Sequence, residues 1–117
     1  MKILIVDDNS EMRRLIKSLI SDFSDEIYEC ADGAEAIDIY RKCHPDWVLM
    51  DVFMKHTDGL NATKIIKQDD PRAKIIIVSN HTDKRSRQAA TDAGAVKFFG
   101  KDDLLSLVSF LQNNQPD

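Results

Sequence analysis

Apolar residues fall into five short runs along the chain, and a stretch of helical periodicity follows each one. Ile3–Val6, Trp47–Met50 and Lys74–Ser79 are nearly continuous apolar segments. Strands covered on both faces have this composition, as in a parallel sheet. Glu26–Cys30 is mixed, and Ala95–Phe99 is interrupted by Lys97, so both suit sheet edges. Between the runs, Met12, Leu15, Ile16, Leu19 and Ile20 share one helical face. Asp32 and Glu35 resemble a capping box that opens a second helix through Lys42. Pro45 bars that helix from continuing. Leu60, Ala62, Ile65 and Ile66 predict a third helix that ends before Pro71. A fourth, over 83–93, has only Ala89, Ala90 and Ala93 on its best face, and Gly94 stands where a C-terminal cap belongs. Leu104, Leu107, Val108 and Leu111 form the stripe of a fifth. Five repeats of strand then helix imply a single doubly wound α/β domain. Right-handed crossovers leave few topologies. Ligands in such folds bind beyond the carboxyl ends of the strands.

That rule selects the residues with chemistry. The first strand runs into Asp7 and Asp8, the third into Asp51, the fourth into Ser79 and Asn80, and the fifth leads to Lys101. The winding gathers them in one crevice. Three carboxylates there repel one another and need a cation or protons. Oxygen ligands with open positions suit Mg²⁺, which keeps several waters. Formal charge balances near zero with three carboxylates, one Mg²⁺ and one lysine. An arriving phosphoryl group would meet the metal, the lysine and the serine hydroxyl. Taken singly, each residue has an ordinary reading. Asp7–Asp8 suits a helix start, Asp51 a hydrated strand end, Ser79 a cap for the fourth helix, Lys101 a surface amine and Phe98 a core ring.

Composition narrows the classes. The chain has 117 residues, 43% of them hydrophobic, which suffices for one core. Its net charge of −4, from 16 basic and 20 acidic residues, argues against direct nucleic-acid binding. No apolar run approaches the ~20 residues of a membrane span, and the charged residues close to the N-terminus do not suit a signal peptide. Cys30 and Cys43 lack metal-ligand spacing and read as reduced thiols of a cytoplasmic protein. The domain is expected over 1–112, with 113–117 a polar tail or the start of a linker. His44 and His56 read as loop residues. Asp102–Asp103 is expected to cap the fifth helix. Leu105 and Phe110 lie off its stripe, as surface apolar residues or as part of a dimer or effector face. The thin, alanine-only stripe of the fourth helix marks that helix and the start of the fifth strand as the mobile face.

The stretches "LIVDDN", "PDWVLMDV", "DGL", "IIIVSNH" and "GAVKFFGKDD" resemble the receiver domain of bacterial two-component response regulators. The resemblance runs from Lys2 to about Leu111, with several motifs in order at strand ends. It implies a flavodoxin-like (βα)5 fold with sheet order 2-1-3-4-5. It implies a phosphoacceptor switch in a histidine-to-aspartate phosphorelay, not a turnover enzyme, served by a sensor histidine kinase. Asp51 would be the phosphoacceptor. Asp8 would bind Mg²⁺ directly, with Asp7, Asp51 and the Phe53 carbonyl completing the protein's share. Ser79 would bond the phosphoryl group and move on activation. Lys101 would pair with the phosphoryl group and Asp51. Phe98 would be the aromatic switch, and Gly59 would let the loop after the third strand turn. The signal would leave through the surface of the fourth helix, fifth strand and fifth helix.

Three positions depart from the common receiver pattern. Lys55 stands where Pro is frequent, Asn80 where Ala is frequent, and Asp102 where Pro is frequent. The last two resemble the NarL/FixJ-type subgroup, whose members usually attach a DNA-binding domain for transcription regulation; these 117 residues contain none. The domain would stand alone or belong to a longer regulator, with an effector domain or a homodimer as output. Lys55, Asn80 and His81 are candidate modulators, and Phe53 and His81 would flank an incoming water. Two other readings compete. A pseudo-receiver would keep the fold without the chemistry, against which stands the intact set of Asp8, Asp51, Ser79 and Lys101. An aspartate-nucleophile phosphohydrolase would commonly carry a second acid two residues after the nucleophile, where this chain has Phe53.

Overall fold

Each predicted strand forms, and all five join one parallel sheet. In the computed structural model, which describes residues 1–56 and 58–116, the elements alternate strictly. They are β1 (Lys2–Val6), α1 (Ser10–Ile20), β2 (Glu26–Cys30), α2 (Gly33–Cys43), β3 (Trp47–Met50), α3 (Gly59–Asp69), β4 (Ile75–Ser79), α4 (Lys84–Ala93), β5 (Lys97–Gly100) and α5 (Leu104–Asn113). The sheet order is β2-β1-β3-β4-β5, with every neighbouring pair parallel. This is the flavodoxin-like order that the resemblance implied, and the mixed runs lie at the two edges. Asp117, the last residue of the expected polar tail, lies outside the described residues.

Alternation along the strands builds two cores. Leu4, Val6, Val48, Met50, Ile75 and Ile77 face α2, α3 and α4, meeting Ala36, Tyr40, Ala62, Ile66 and Ala90. Ile3, Ile5, Trp47, Leu49, Ile76 and Val78 face α1 and α5, meeting Ile16, Ile20, Leu107 and Leu111. Each fully buried aliphatic side chain contributes roughly 1.5–3 kcal/mol. The continuous apolar runs are thus the mark of a sheet covered on both sides.

The helix starts are built by short polar side chains. Asn9 accepts from the Glu11 and Met12 N–H groups, Asp32 from Glu35, Asp58 from Leu60 and Asp83 from Ser86. Each satisfies a donor that the first turn leaves without an intrahelical partner. Asp83, not Ser79, therefore caps α4. The expected Asp102–Asp103 cap of α5 is corrected. Asp103 occupies the cap position with its side chain off the helix N–H groups, accepting the Ser106 hydroxyl at 2.8 Å. Gly94 ends α4 in the left-handed region at φ 104°, as expected.

Burial departs from the helical stripes at three apolar positions, two on a stripe and one off it. Leu15 is 46% exposed, because Ile16 and Ile20 carry the contact of α1 with the sheet and leave Leu15 on the shoulder. Ala89 is only half-buried, so α4 buries just Ala90 and Ala93. Phe110 is half-buried, edge-on to Trp47 at 5.3 Å and near Phe99 at 5.9 Å, so it extends the core, whereas Leu105 is 75% exposed.

Gly59 opens α3 for a reason different from the expected turn. Its backbone is helical, and a Cβ there would lie 1.8 Å from the carbonyl oxygen of Asp51. Its N–H donates to the Val52 carbonyl at 2.8 Å. The residue is small so that α3 can touch the end of β3. Gly59→Ala is expected to destabilise the protein by about 1–3 kcal/mol as backbone is forced apart. Urea unfolding checks this, and unchanged stability would show that the contact relaxes freely.

Candidate functional site

The parallel ladder runs one step past the strands and carries the polar residues in register. The Asp7 N–H donates to the Cys30 carbonyl at 3.1 Å, Asp51 N–H to Val6 at 2.9 Å and Lys101 N–H to Ser79 at 2.9 Å. Backbone bonds thus bring Asp7, Asp51 and Lys101 to one rim of the sheet from strands far apart in sequence. Asp7, Asp8 and Asp51 each place a carboxylate oxygen within 4.8 Å of the others. Asp7 and Asp51 are buried and Asp8 is exposed.

Lys101 offsets part of the charge of the inner pair. Its Nζ lies 2.9 Å from Asp7 Oδ2 and 3.3 Å from Asp51 Oδ1, with the side chain 9% exposed. The family resemblance implied the contact with Asp51; the shorter one, to Asp7, is additional. Burial pushes the Asp51 carboxyl up to about 6, and the Asp7 charge adds to this. Lys101 and the Val52 N–H oppose it without cancelling it. Burial alone would lower the Lys101 ammonium, but its bonds to the two carboxylates outweigh this and hold it above its ordinary value. Carboxylate oxygen is a hard donor, and a crowded trio with one buried carboxyl driven toward its proton fits a hard divalent cation.

The remaining predicted residues surround this trio. Ser79 is buried at the end of β4, and its Oγ accepts the His81 N–H at 3.0 Å. Asn80 and His81 are exposed on the following loop, and Lys55 is exposed on the loop after β3. The Phe53 ring is 64% exposed and stands 4.7 Å from the His81 ring, edge to face at 64°. The two residues expected to flank a water are therefore in contact with each other. Phe98 is half-buried on β5 and packs against the core beneath α4.

Sequence reasoning missed Arg13. Its Nη1 donates to the Asp7 carbonyl at 2.6 Å, and its Nε is 3.3 Å from Glu29 Oε1 at the edge strand. The available signal was its spacing: six residues after Asp7, on the second turn of a helix whose cap is Asn9.

A family profile described as "Response regulator receiver domain" matches residues 3–111. The chain belongs to this family. Among the receiver's relatives, the chemotaxis protein CheY of Bacillus subtilis is 40% identical over 86% of this chain and 84% of that protein. The response regulator protein VraR of Staphylococcus aureus is 36% identical over 86% of this chain and 49% of that protein. A crystal structure of a LuxR-family two-component response regulator from Aurantimonas superposes with a TM-score of 0.83 at 29% identity, covering 97% of the receiver and 86% of that chain. The chemotaxis protein CheY4 of Vibrio cholerae superposes with a TM-score of 0.86 at 25% identity, covering 96% of each chain. The chain is thus a receiver of a two-component phosphorelay, and chemotaxis and LuxR-type regulators both stand among its relatives. No helix of the described residues is long and apolar enough to cross a membrane.

The raised Asp51 carboxyl makes the cation-free receiver less stable as pH rises. A carboxyl that ionises at about 6 when folded and near 3.8 when unfolded stabilises the fold below pH 4, and that contribution is lost as pH rises through 6. Asp51→Asn removes this loss. In a chelator at pH 7.5 the variant is expected to exceed wild type in unfolding free energy by on the order of 2 kcal/mol more than at pH 4. Urea melts of both proteins across this range measure the difference, and parallel curves would exclude a raised Asp51.

Proposed function

We propose that Asp51 accepts a phosphoryl group from a phosphohistidine of a sensor histidine kinase, in the cytoplasm, with Mg²⁺ as the metal. The observation that carries this reading is the crowded trio of Asp7, Asp8 and Asp51, with Lys101 between its two buried members. Asp8, the exposed acid, would be the nearest protein ligand, with Asp7, Asp51 and the Phe53 carbonyl contributing. Bound Mg²⁺ supplies positive charge to the phosphoryl oxygens and to the carboxylates together.

The chain's own residues then do the following. One Asp51 oxygen attacks phosphorus as the bond to the histidine nitrogen breaks, and that electron pair leaves on the imidazole. Lys101 moves its charge from the Asp7–Asp51 pair toward the phosphoryl oxygens. Such transfer is mainly positioning and electrostatics. The Ser79 hydroxyl, turned toward its own loop at present, reorients to the new oxygens. Phe98 follows into the space beside it and changes the surface of α4, β5 and α5. Water later cleaves the acyl phosphate. Phe53 and His81, in contact with each other, would flank that water, with the exposed Lys55 and Asn80 as further modulators. Phe53 offers no carboxyl for a leaving group, so the domain works as a switch and not as a turnover phosphohydrolase. An effector domain or a second receiver would read the changed face, with no nucleic-acid contact by this domain.

Labelling with acetyl phosphate tests the assignment. Wild type is expected to label only with Mg²⁺ present, Asp51→Asn to lose all label, and Lys101→Met to lose most of it. Persistent label in Asp51→Asn would end the reading. The proton and the cation compete at Asp51, so apparent Mg²⁺ affinity is expected to fall as pH drops through about 6. Calorimetric titrations from pH 5 to 8 measure this. An affinity independent of pH would remove Asp51 from the ligand set.

A further inference from the structure

One side chain of α4 touches both the Phe98 ring and the loop that follows Ser79. Arg87 lies on the first turn of α4, with its guanidinium carbon 4.7 Å from the centre of the Phe98 ring. Its Nε donates to the Thr82 carbonyl at 2.9 Å. Thr82 belongs to the short loop whose His81 N–H is bonded to the Ser79 hydroxyl. One guanidinium thus holds the ring on β5 and the loop after β4 together.

The surroundings give Phe98 two places to be. In its present position the ring and Arg87 wall an open cavity of about 290 Å³ between α4 and β5. A second, largely apolar cavity of about 160 Å³ lies beside Ser79, lined by Val52, Phe53, Leu60 and Ala89, with Arg85 and Ser86 of α4 also on its wall. An apolar space near ~150 Å³ admits a benzene ring. The pairing of Ile77 with Phe98 and of Ser79 with Gly100 puts Ile77, Ser79 and Phe98 on one face of the sheet. The inner cavity therefore lies on the side to which a turning Phe98 ring would go.

We propose that Arg87 is a latch that holds Phe98 in its outer position and sets the balance between resting and phosphorylated states. The proposal rests on Asp51 being the acceptor and on Phe98 moving with Ser79. Turning the ring inward removes the π face from the guanidinium. Reorienting Ser79 frees the His81 N–H and disturbs the loop that carries the Thr82 carbonyl. Activation breaks both Arg87 contacts, so their strength opposes it. An exposed guanidinium over an aromatic ring shifts a two-state balance by about two- to fivefold. The latch makes the receiver harder to switch on in the absence of the phosphoryl group.

Binding of beryllofluoride, a phosphoryl mimic, measures that balance by calorimetry in saturating Mg²⁺. Arg87→Met keeps the length of the side chain and loses the charge and the donor. It is expected to bind beryllofluoride about two- to fivefold more tightly than wild type. Arg87→Lys, which keeps the charge without the Nε donor, is expected to fall between them. In a Phe98→Leu background the Arg87→Met change is expected to have a clearly smaller effect, because only the Thr82 contact is left to lose. A residue acting only on the stability of α4 would change binding equally in both backgrounds, and that result would overturn the latch. Unchanged affinity of Arg87→Met in the otherwise wild-type chain would overturn it as well. If wild type with Mg²⁺ binds no beryllofluoride, the acceptor reading fails and the latch falls with it. Binding by wild type with no response to Arg87→Met rejects the latch alone.

Discussion

Repulsion among Asp7, Asp8 and Asp51 is the constraint to which the rest of the molecule is fitted. Two of these acids are buried, and all three come within 4.8 Å of one another. Water cannot screen them well there, so the site must supply positive charge. Lys101 supplies one unit from inside, and Arg13 brings another to the Asp7 backbone. Asp51 remains displaced toward its protonated form. The site is therefore left short of positive charge, and that deficit is what makes the cluster one that could hold a cation. Under the proposed assignment, a phosphoryl group would add negative charge where one carboxylate charge is lost, and a bound cation would offset that penalty.

A parallel sheet is well suited to hold such a cluster. Its strands end on the same side, and the ladder bonds at Asp7, Asp51 and Lys101 continue the register beyond the last paired residues. Acids twenty or more residues apart in sequence arrive at fixed relative heights. The two cores clamp the sheet from both faces, so the acids cannot relieve their repulsion by spreading. Gly59 adds to this from the other side, letting α3 close against the Asp51 carbonyl. Stability from apolar burial thus holds the electrostatic strain in place.

Much of this was legible in the chain. Strand positions followed from apolar runs such as Ile3–Val6 and Trp47–Met50, because strands buried on both faces allow no polar interruption. The acids and Lys101 followed from their place at strand ends. What escaped depended on side-chain reach and on helix rotation. Leu15 fits a helical stripe yet lies on the shoulder of α1, since periodicity gives a face but not its contact width. Phe110, off the stripe, is drawn inward by Trp47 and Phe99, which no local pattern encodes. Arg13 resembled any helix arginine, and only the fold shows its guanidinium at the Asp7 carbonyl. The Gly59 motif was visible, but its cause is a close approach of backbones, not a turn.

The same charge logic reaches α4. Its first four residues include Lys84, Arg85 and Arg87, set against the positive end of the helix dipole. That end is held by Asp83, whose carboxyl stays below the usual carboxylate range because the Ser86 hydroxyl and N–H bond to it. The helix buries only Ala90 and Ala93. Little apolar area and an adverse charge arrangement leave α4 weakly tied to the sheet. Its cationic end is also the end nearest Ser79 and the acid cluster. Under the proposed phosphorylation of Asp51, the gain of negative charge would act on the element with the least packing to resist it, α4, and would leave the well-packed α3 in place.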